Sequence, residues 1–492
     1  MDRRAFLRQS LGFTVAGTAA LGALAGCGGT TATVAPPGNA WNELARMLSG
    51  ELLLPGSANF ATLALPNNLR YAGVRPAGIA LCANASDVGT SLLWAQAHGV
   101  PLVARSGGHS YGGYSTTTGL MIDVAAMNAF AFDSATGIAT LGAGARNRDV
   151  YAQGRKFGFA ITHGRCLNVG VVGLALGGGV GFNMRAHGLT CDQLTACDIV
   201  TADGRLHTLR DPNDDDGLLW ACRGAGGGNF GIVTSMEFQT FTVDTMTAYD
   251  LTWETDVERI FPVLVAALEA APVTLGCKVS LGVSAPQHGA TTPPISLQLL
   301  GQLAGTPAEL EDIIAPALGI ARPKGFVRQT SYWDAQNLLS ELGLPEYFHE
   351  SSRFYDGPIA AGDPDTFFSW LRRWPATVHA AAFKLFQTGG RVNAVAPAAT
   401  SFVHRNSEWL SSVAIVWERD TPPEDVRRNL EWQQAFYAAL VPLAGGGAYQ
   451  NFIDPSLADW KTAYYGTNLP RLETIKRRVD PHHVFRFPEA IP

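Results

Sequence analysis

Charge is scarce in this chain: only 16% of its 492 residues are Asp, Glu, Lys or Arg. Lys and Arg number 36 against 42 Asp and Glu, a formal charge of −6, and no long basic run occurs. Nucleic-acid binding needs a basic face, so that class of partner is excluded. Cysteine is sparse as well, with seven residues, no C-x-x-C pair and no metal-finger spacing. H-E-x-x-H is absent, and His482-His483 is adjacent rather than spaced for a ligand, so no metal is expected. No repeat of about 20 to 50 residues marks a solenoid or propeller. The apolar run Leu11 to Gly26 falls short of the roughly 20 residues that span a hydrocarbon core.

What is present is apolar residues, at 47%, and glycine, at 54 residues. The first can bury large cores and excludes disorder over most of the length. At about 150 residues per domain, the length suggests two or three domains. The glycine share is well above the usual roughly 7% and has no period, which excludes collagen. Such glycines serve turns or close approach to a ligand.

The chain begins Met1-Asp2-Arg3-Arg4-Ala5-Phe6-Leu7, followed by the short apolar run. Paired arginines ahead of such a run read as a twin-arginine export signal over residues 1–26, handled by the twin-arginine translocase; an anchor helix is the alternative. Leu24-Ala25-Gly26-Cys27 resembles a lipoprotein box in which Cys27 carries a lipid anchor, a plain cleavage site being the alternative. The mature protein is then expected in the periplasm or outside the cell. The twin-arginine route carries proteins already folded, often around a cofactor, a first hint of redox chemistry. Residues 27–57 read as a tether and lead-in. Six cysteines remain at 82, 166, 191, 197, 222 and 277, and sequence does not pair them.

From Gly73 to about Phe241, short β-branched runs alternate with helical stretches, giving an α+β domain expected over 58–245. Strands are expected at 79–82, 101–105 and 120–124, with a helix at 87–98 capped by Ser86 or Asp87. Ala196–Thr201, the Asp203-Gly204 turn and Leu206–Leu209 read as a hairpin. A second domain is expected over 246–448, with helices at 257–269, 307–318 and 423–440 and strands at 295–300 and 412–417. The last segment, 449–492, is too short for a core and must pack on what precedes it. Glycine gathers at 107–119, 164–188 and 224–231, all within the first domain.

Two motifs point elsewhere. Gly108-His109-Ser110-Tyr111-Gly112 matches the G-x-S-x-G elbow of serine hydrolases, but residues 113–119 are poor helix material where the elbow needs a helix. Gly226 to Gly231 matches G-x-G-x-x-G yet leads into a strand pattern at Ile232–Phe238, so the Rossmann context fails. A hydrolase using Ser110 and a non-catalytic envelope binding protein remain the competing classes.

The informative set is a combination of loops. Arg105-Ser106-Gly107-Gly108-His109-Ser110-Tyr111 lacks bulk at most positions, so backbone N–H groups can converge on an anion. A second such surface is Gly164-Arg165-Cys166-Leu167-Asn168-Val169-Gly170-Val171-Val172-Gly173, with Gly177-Gly178-Gly179-Val180-Gly181 beyond it. With Arg185-Ala186-His187-Gly188-Leu189, Leu219 to Gly231, Tyr464-Tyr465-Gly466-Thr467-Asn468 and Asp480-Pro481, these motifs stand in one order. In that order the chain resembles the berberine-bridge-enzyme-like FAD oxidoreductases of the vanillyl-alcohol-oxidase (PCMH-type) fold. The likeness is close over about 58–245 and 449–492 and loose between them.

The resemblance implies an FAD held by two covalent bonds, one from His109 to the flavin methyl edge and one from Cys166 to the adjacent ring carbon. Arg105, Ser106, Gly107 and Gly108 would cradle the pyrophosphate beside Ser110. Gly173, Gly178, Gly179, Asn229, Gly231 and Val233, with Tyr465 and Asn468, would line the rest. The middle domain is expected to roof the substrate cleft with an antiparallel sheet covered by helices. The family removes a hydride from a small-molecule alcohol, a carbohydrate or a secondary metabolite, while a tyrosine takes the hydroxyl proton. Its Y-x-N-Y segment appears as Tyr449-Gln450-Asn451-Phe452, which makes Tyr449 the base candidate, while Phe452 departs from the pattern. Tyr111, Lys384 and Gln387 are further cleft candidates. Val169, three residues after Cys166, stands at the family's oxygen gate and favours O2 as acceptor, with H2O2 as product, over a dehydrogenase using another acceptor. Among Trp333, Tyr347, Phe348, Phe354 and Tyr355, most are expected in the core.

Overall fold

Short apolar runs after Glu51 build two sheets around one core. In the first, Glu51–Leu53, Gly78–Leu81, Leu120–Asp123 and Leu102–Arg105 lie side by side in that order. The first strand is antiparallel to its neighbour and the others are parallel. The helix Ala85–Ala97 supplies the crossover, and its cap is Asn84, whose side chain accepts the Asp87 amide at 3.0 Å. Asp87, expected as a cap, instead takes the amides of Ser49, Gly50 and Ala83 at 2.8–2.9 Å. In the second sheet, Phe130–Asp133, Ile138–Gly142, Ile232–Gln239, Leu194–Val200 and Leu206–Leu209 are all antiparallel, and the expected hairpin forms. The computed structural model describes residues 38–210, 217–285, 292–375 and 380–492, so the expected leader at 1–26 and Cys27 lie outside them.

The third sheet is larger and wholly antiparallel. Its strands run Lys324–Ser331, Thr245–Trp253, Ile295–Leu303, Leu275–Val283, Ala381–Gln387, Trp409–Trp417 and Tyr347–Tyr355. Alternation gives it two different faces. Val279, Phe383, Leu385 and Val413 pack against Ile260, Phe261 and Leu264 of the helix Val257–Glu269 and Trp432 and Phe436 of the helix Pro423–Leu440. The other face carries Ser280, Lys384, Phe386 and Ser412, and this face belongs to the site. The α+β class and the helix-covered antiparallel sheet match the expectation. The helix expected at 307–318 is two helices, Pro307–Ile313 and Ala315–Leu318. Pro316 has no N–H for the turn before it, which breaks the run.

Residues near the C-terminus complete the first core. Tyr464, Tyr465, Leu472, Ile475 and Phe485 join Ala80, Val88, Trp220 and Phe238 in one cluster. Lys476 is buried and spends its ammonium on Asp480 and on the carbonyls of Asn229 and Phe485, each at 2.7 Å. Paired this way, a buried charge locks the segment in register.

Candidate active site

The two glycine loops meet backbone to backbone. A Cβ on Gly107 would lie 2.3 Å from the Gly170 nitrogen, so only glycine lets the loops touch. Ser106 Oγ donates to the Ala143 carbonyl at 2.7 Å, and Asn147 Nδ2 to the Cys166 carbonyl at 2.9 Å, fixing both loops to the segment that joins the strand Ile138–Gly142 to the helix Asn147–Phe157. Arg105 lies against Gly108 of this loop, where a Cβ would stand 2.8 Å from its guanidinium. Its guanidinium donates to the Ala64 and Leu65 carbonyls, because its place at the end of the strand Leu102–Arg105 turns it inward. Ser110 caps a turn by accepting the Tyr114 amide at 3.0 Å. No helix follows until Asn147–Phe157, so a nucleophile elbow is absent.

His109 and Cys166 come together beneath a strap at residues 341–346. Gly343 sits at φ +62, and a Cβ there would be 3.2 Å from both Cys166 Cβ and His109 Cε1. The strap is tied at one end by Leu167 N to Glu341 O at 2.8 Å and at the other by Glu346 N to Asn67 O at 3.0 Å. Burial, with the charges of Arg146 and Arg105, pushes the His109 imidazole down to about 4. It is therefore neutral near pH 7 and its nitrogen lone pair is available for bonding. The Cys166 thiol donates to Glu341 Oε1 at 2.8 Å. Val169 closes the turn that follows, its amide donating to the Cys166 carbonyl at 3.2 Å. All six cysteines of the described residues are free thiols, and Cys166 is the one that is not fully buried.

The open sheet face stands over these loops. Lys384 Nζ contacts both carboxylate oxygens of Glu350, at 3.0 and 3.2 Å, and Ser412 Oγ donates to the same group at 2.5 Å. Tyr111 stacks on Phe452 at 4.9 Å with 5° between the planes, and Phe348 meets it edge-on at 4.8 Å. Burial and the Glu350 charge hold the Tyr111 hydroxyl well above its usual value. Tyr449 lies beyond Phe452, its ring 5.1 Å away. Its oxygen accepts from Gly179 N at 3.0 Å, Val180 N at 3.2 Å and Asn451 Nδ2 at 3.0 Å. Burial pushes that hydroxyl up to about 12, while the three donors pull the other way.

Not every candidate joins this group. Gln387 ends its strand on the opposite face from Lys384, donating to the Leu268 carbonyl under the helix layer. An odd step along a strand changes face, which the sequence reading overlooked. Gly173 has nothing within 4 Å of a Cβ position, whereas Gly178 and Gly179 hold positive φ angles of 114° and 86° beside Tyr449. Asn229 and Tyr465 both bind the Ala225 carbonyl, at 3.2 and 3.1 Å, and so pin the loop that ends at Gly231 ahead of buried Val233. Asn468 binds the carbonyls of Pro397, Thr400 and Ser401. Trp333, Phe354 and Tyr355 are core residues, and Phe348 alone of that aromatic set touches Tyr111. Glu341, Gly343 and Glu350 escaped the sequence reading, since none lies in a motif and only folding brings them here.

Residues 76–210 match the family described as FAD binding domain, and 448–492 the one described as berberine and berberine like. An FAD-linked oxidoreductase of Bacillus subtilis (strain 168) is 32% identical over 426 residues, 84% of this chain and 90% of that protein. The chain belongs to the berberine-bridge-like FAD-linked oxidoreductases. The residues of this oxidoreductase fit FAD: a neutral imidazole and a thiol lie together beneath Gly343, on two loops of glycine backbone. It is also 30% identical to a xylooligosaccharide oxidase of Thermothelomyces thermophilus, over 88% of this chain and 90% of that one. A solved glucooligosaccharide oxidase from Acremonium strictum superimposes with a TM-score of 0.80 at 25% identity, covering 92% of this chain and 99% of that one. Its FAD is described as 6-S-cysteinyl, 8α-N1-histidyl.

Proposed function

We propose that this enzyme oxidises a hydroxyl-bearing carbohydrate, at its anomeric carbon, with FAD bonded to both His109 and Cys166 and O2 as the final acceptor. The carrying observation is the meeting of those two side chains beneath Gly343, together with the doubly linked FAD described for the glucooligosaccharide oxidase. Bound FAD supplies the hydride acceptor and returns the electrons to O2, giving H2O2.

Hydride loss leaves positive character on carbon, so removing the hydroxyl proton in the same step lowers the barrier. Tyr449 is the proton acceptor: burial holds its hydroxyl up to about 12, and the three N–H donors aimed at its oxygen offset part of that cost as the phenolate forms. Phe452 has no hydroxyl to share that work. Tyr111, stacked on it beside Glu350, is the harder of the two tyrosines to ionise. Lys384, Glu350 and Ser412 offer charge-assisted hydrogen bonds to sugar hydroxyls, and the Tyr111–Phe452 pair offers an apolar face. Val169, small and at the edge of the linkage loop, leaves O2 a path.

A peroxide-coupled screen of oligosaccharides and aromatic alcohols tests this. Peroxide is expected from reducing oligosaccharides, and Tyr449→Phe should lower turnover by about 10²-fold or more. Dye reduction without peroxide would remove O2 as the acceptor, and an aromatic alcohol as sole substrate would remove the carbohydrate. Full turnover in the Tyr449→Phe variant would end the base assignment.

A further inference from the structure

A covalent bond from a thiol requires that its proton leave, and one carboxylate is placed to receive it. We infer that Glu341 is the general base that makes Cys166 nucleophilic, so that the cysteinyl bond to FAD is a self-modification catalysed by this chain. The inference rests on the doubly linked reading above.

Backbone geometry brings the two residues together without relying on side-chain reach. Cys166 and Glu341 form an isolated parallel bridge, with Leu167 N on Glu341 O at 2.8 Å and Glu341 N on Arg165 O at 3.1 Å. The Cys166 sulfur then stands 2.8 Å from Glu341 Oε1. The second carboxylate oxygen is paired with the Arg165 guanidinium, which also donates to the Leu339 carbonyl at 3.3 Å. That pairing orients the carboxylate and turns Oε1 to the thiol. Among the described residues, no other cysteine has a carboxylate this close; the nearest comparable contact, Cys191 to Asp192, is 3.7 Å. Burial, and then the Glu341 charge, raise the Cys166 thiol above its ordinary value. At neutral pH it is therefore protonated, and a protonated thiol is a poor nucleophile. A base in contact removes that obstacle at the moment of attack.

The step balances with O2 as oxidant. The sulfur bonds to flavin ring carbon 6, the position described for the glucooligosaccharide oxidase, as the thiol proton passes to Glu341. The hydrogen on that carbon leaves as a second proton. The electron pair released reduces the flavin and passes to O2, which takes both protons as H2O2. His109 needs no such partner, because its imidazole is already neutral. Its bond thus serves as an internal control for folding and FAD binding.

The test follows linkage, not turnover. Full-length wild type, Glu341→Gln, Glu341→Asp and Cys166→Ala proteins are loaded with FAD, acid-precipitated and digested, and flavin-bearing peptides are weighed. Wild type should give FAD joining the His109 and Cys166 peptides. Glu341→Gln at neutral pH should give FAD on the His109 peptide alone, as Cys166→Ala does. Raising the pH should restore the cysteinyl bond in Glu341→Gln by about tenfold per unit below the thiol pKa, a climb that wild type lacks. A merely structural Glu341 would not produce that pH profile. Cysteinyl linkage in Glu341→Gln at the wild-type rate and neutral pH would overturn the inference and leave the doubly linked reading intact. Absence of any Cys166 adduct in wild type would overturn that reading itself. Should Glu341→Gln lose both bonds, Glu341→Asp decides: a retained histidyl bond with slower cysteinyl bonding supports the base, and equal rates for both proteins overturn it.

Discussion

His163 sets a limit on acid stability. It is 4% exposed, with Nδ1 on the Gly164 carbonyl at 3.0 Å and Nε2 on the Tyr332 hydroxyl at 2.8 Å. Burial pushes it down to about 4 from the usual 6.5. The unfolded chain therefore takes up the proton first, and stability falls as pH drops from about 6.5 toward 4. The loss is about 1.4 kcal/mol per pH unit and on the order of 3 kcal/mol in all. Thermal melting against pH should show a shallower slope over that window in His163→Gln than in wild type; equal slopes would remove His163 as the cause. At this scale the sequence is legible only where a motif carries the residue. His109 and Cys166 lie in motifs, and both come to rest under Gly343. Arg105, carried over from the resemblance, spends its guanidinium on the Leu65 carbonyl under its own loop, and strand alternation sends Gln387 to the face opposite Lys384. Glu341 and Glu350 are ordinary carboxylates until folding sets them against Cys166 and Lys384.

At the scale of elements, the glycine excess has two uses that composition does not separate. Gly107 lets one backbone touch another, while Gly173 borders open space. Gly107→Ala should therefore destabilise the fold by about 2 kcal/mol or more and lower flavin content, because the Gly170 backbone cannot move aside. Gly173→Ala, at an exposed helical position with open space at its Cβ, should hold or slightly raise the urea midpoint. A Gly107→Ala protein with the wild-type midpoint would show that the loops yield. Helices 257–269 and 423–440 were legible to the residue, since each is a periodic apolar face with nothing inside to stop it but Pro262, near the start of the first. The 307–318 region divides instead, because Pro316 has no N–H to carry the first helix through it.

At the scale of the whole molecule, the cofactor region is assembled from distant parts of the chain. The loops at 105–113 and 164–173 touch each other and the strap at 341–346, and residues after 460 join the core of the same domain. Long-range assembly of this kind leaves no local pattern, which is why the strap went unread while the loops did not. The central claim, that FAD is bonded to both His109 and Cys166, is tested most directly by acid precipitation of the purified full-length protein. Yellow colour should remain in the pellet for wild type and for His109→Ala and Cys166→Ala singly, and should leave it only when both substitutions are combined. A wild-type pellet that releases all its flavin to the supernatant would contradict the claim.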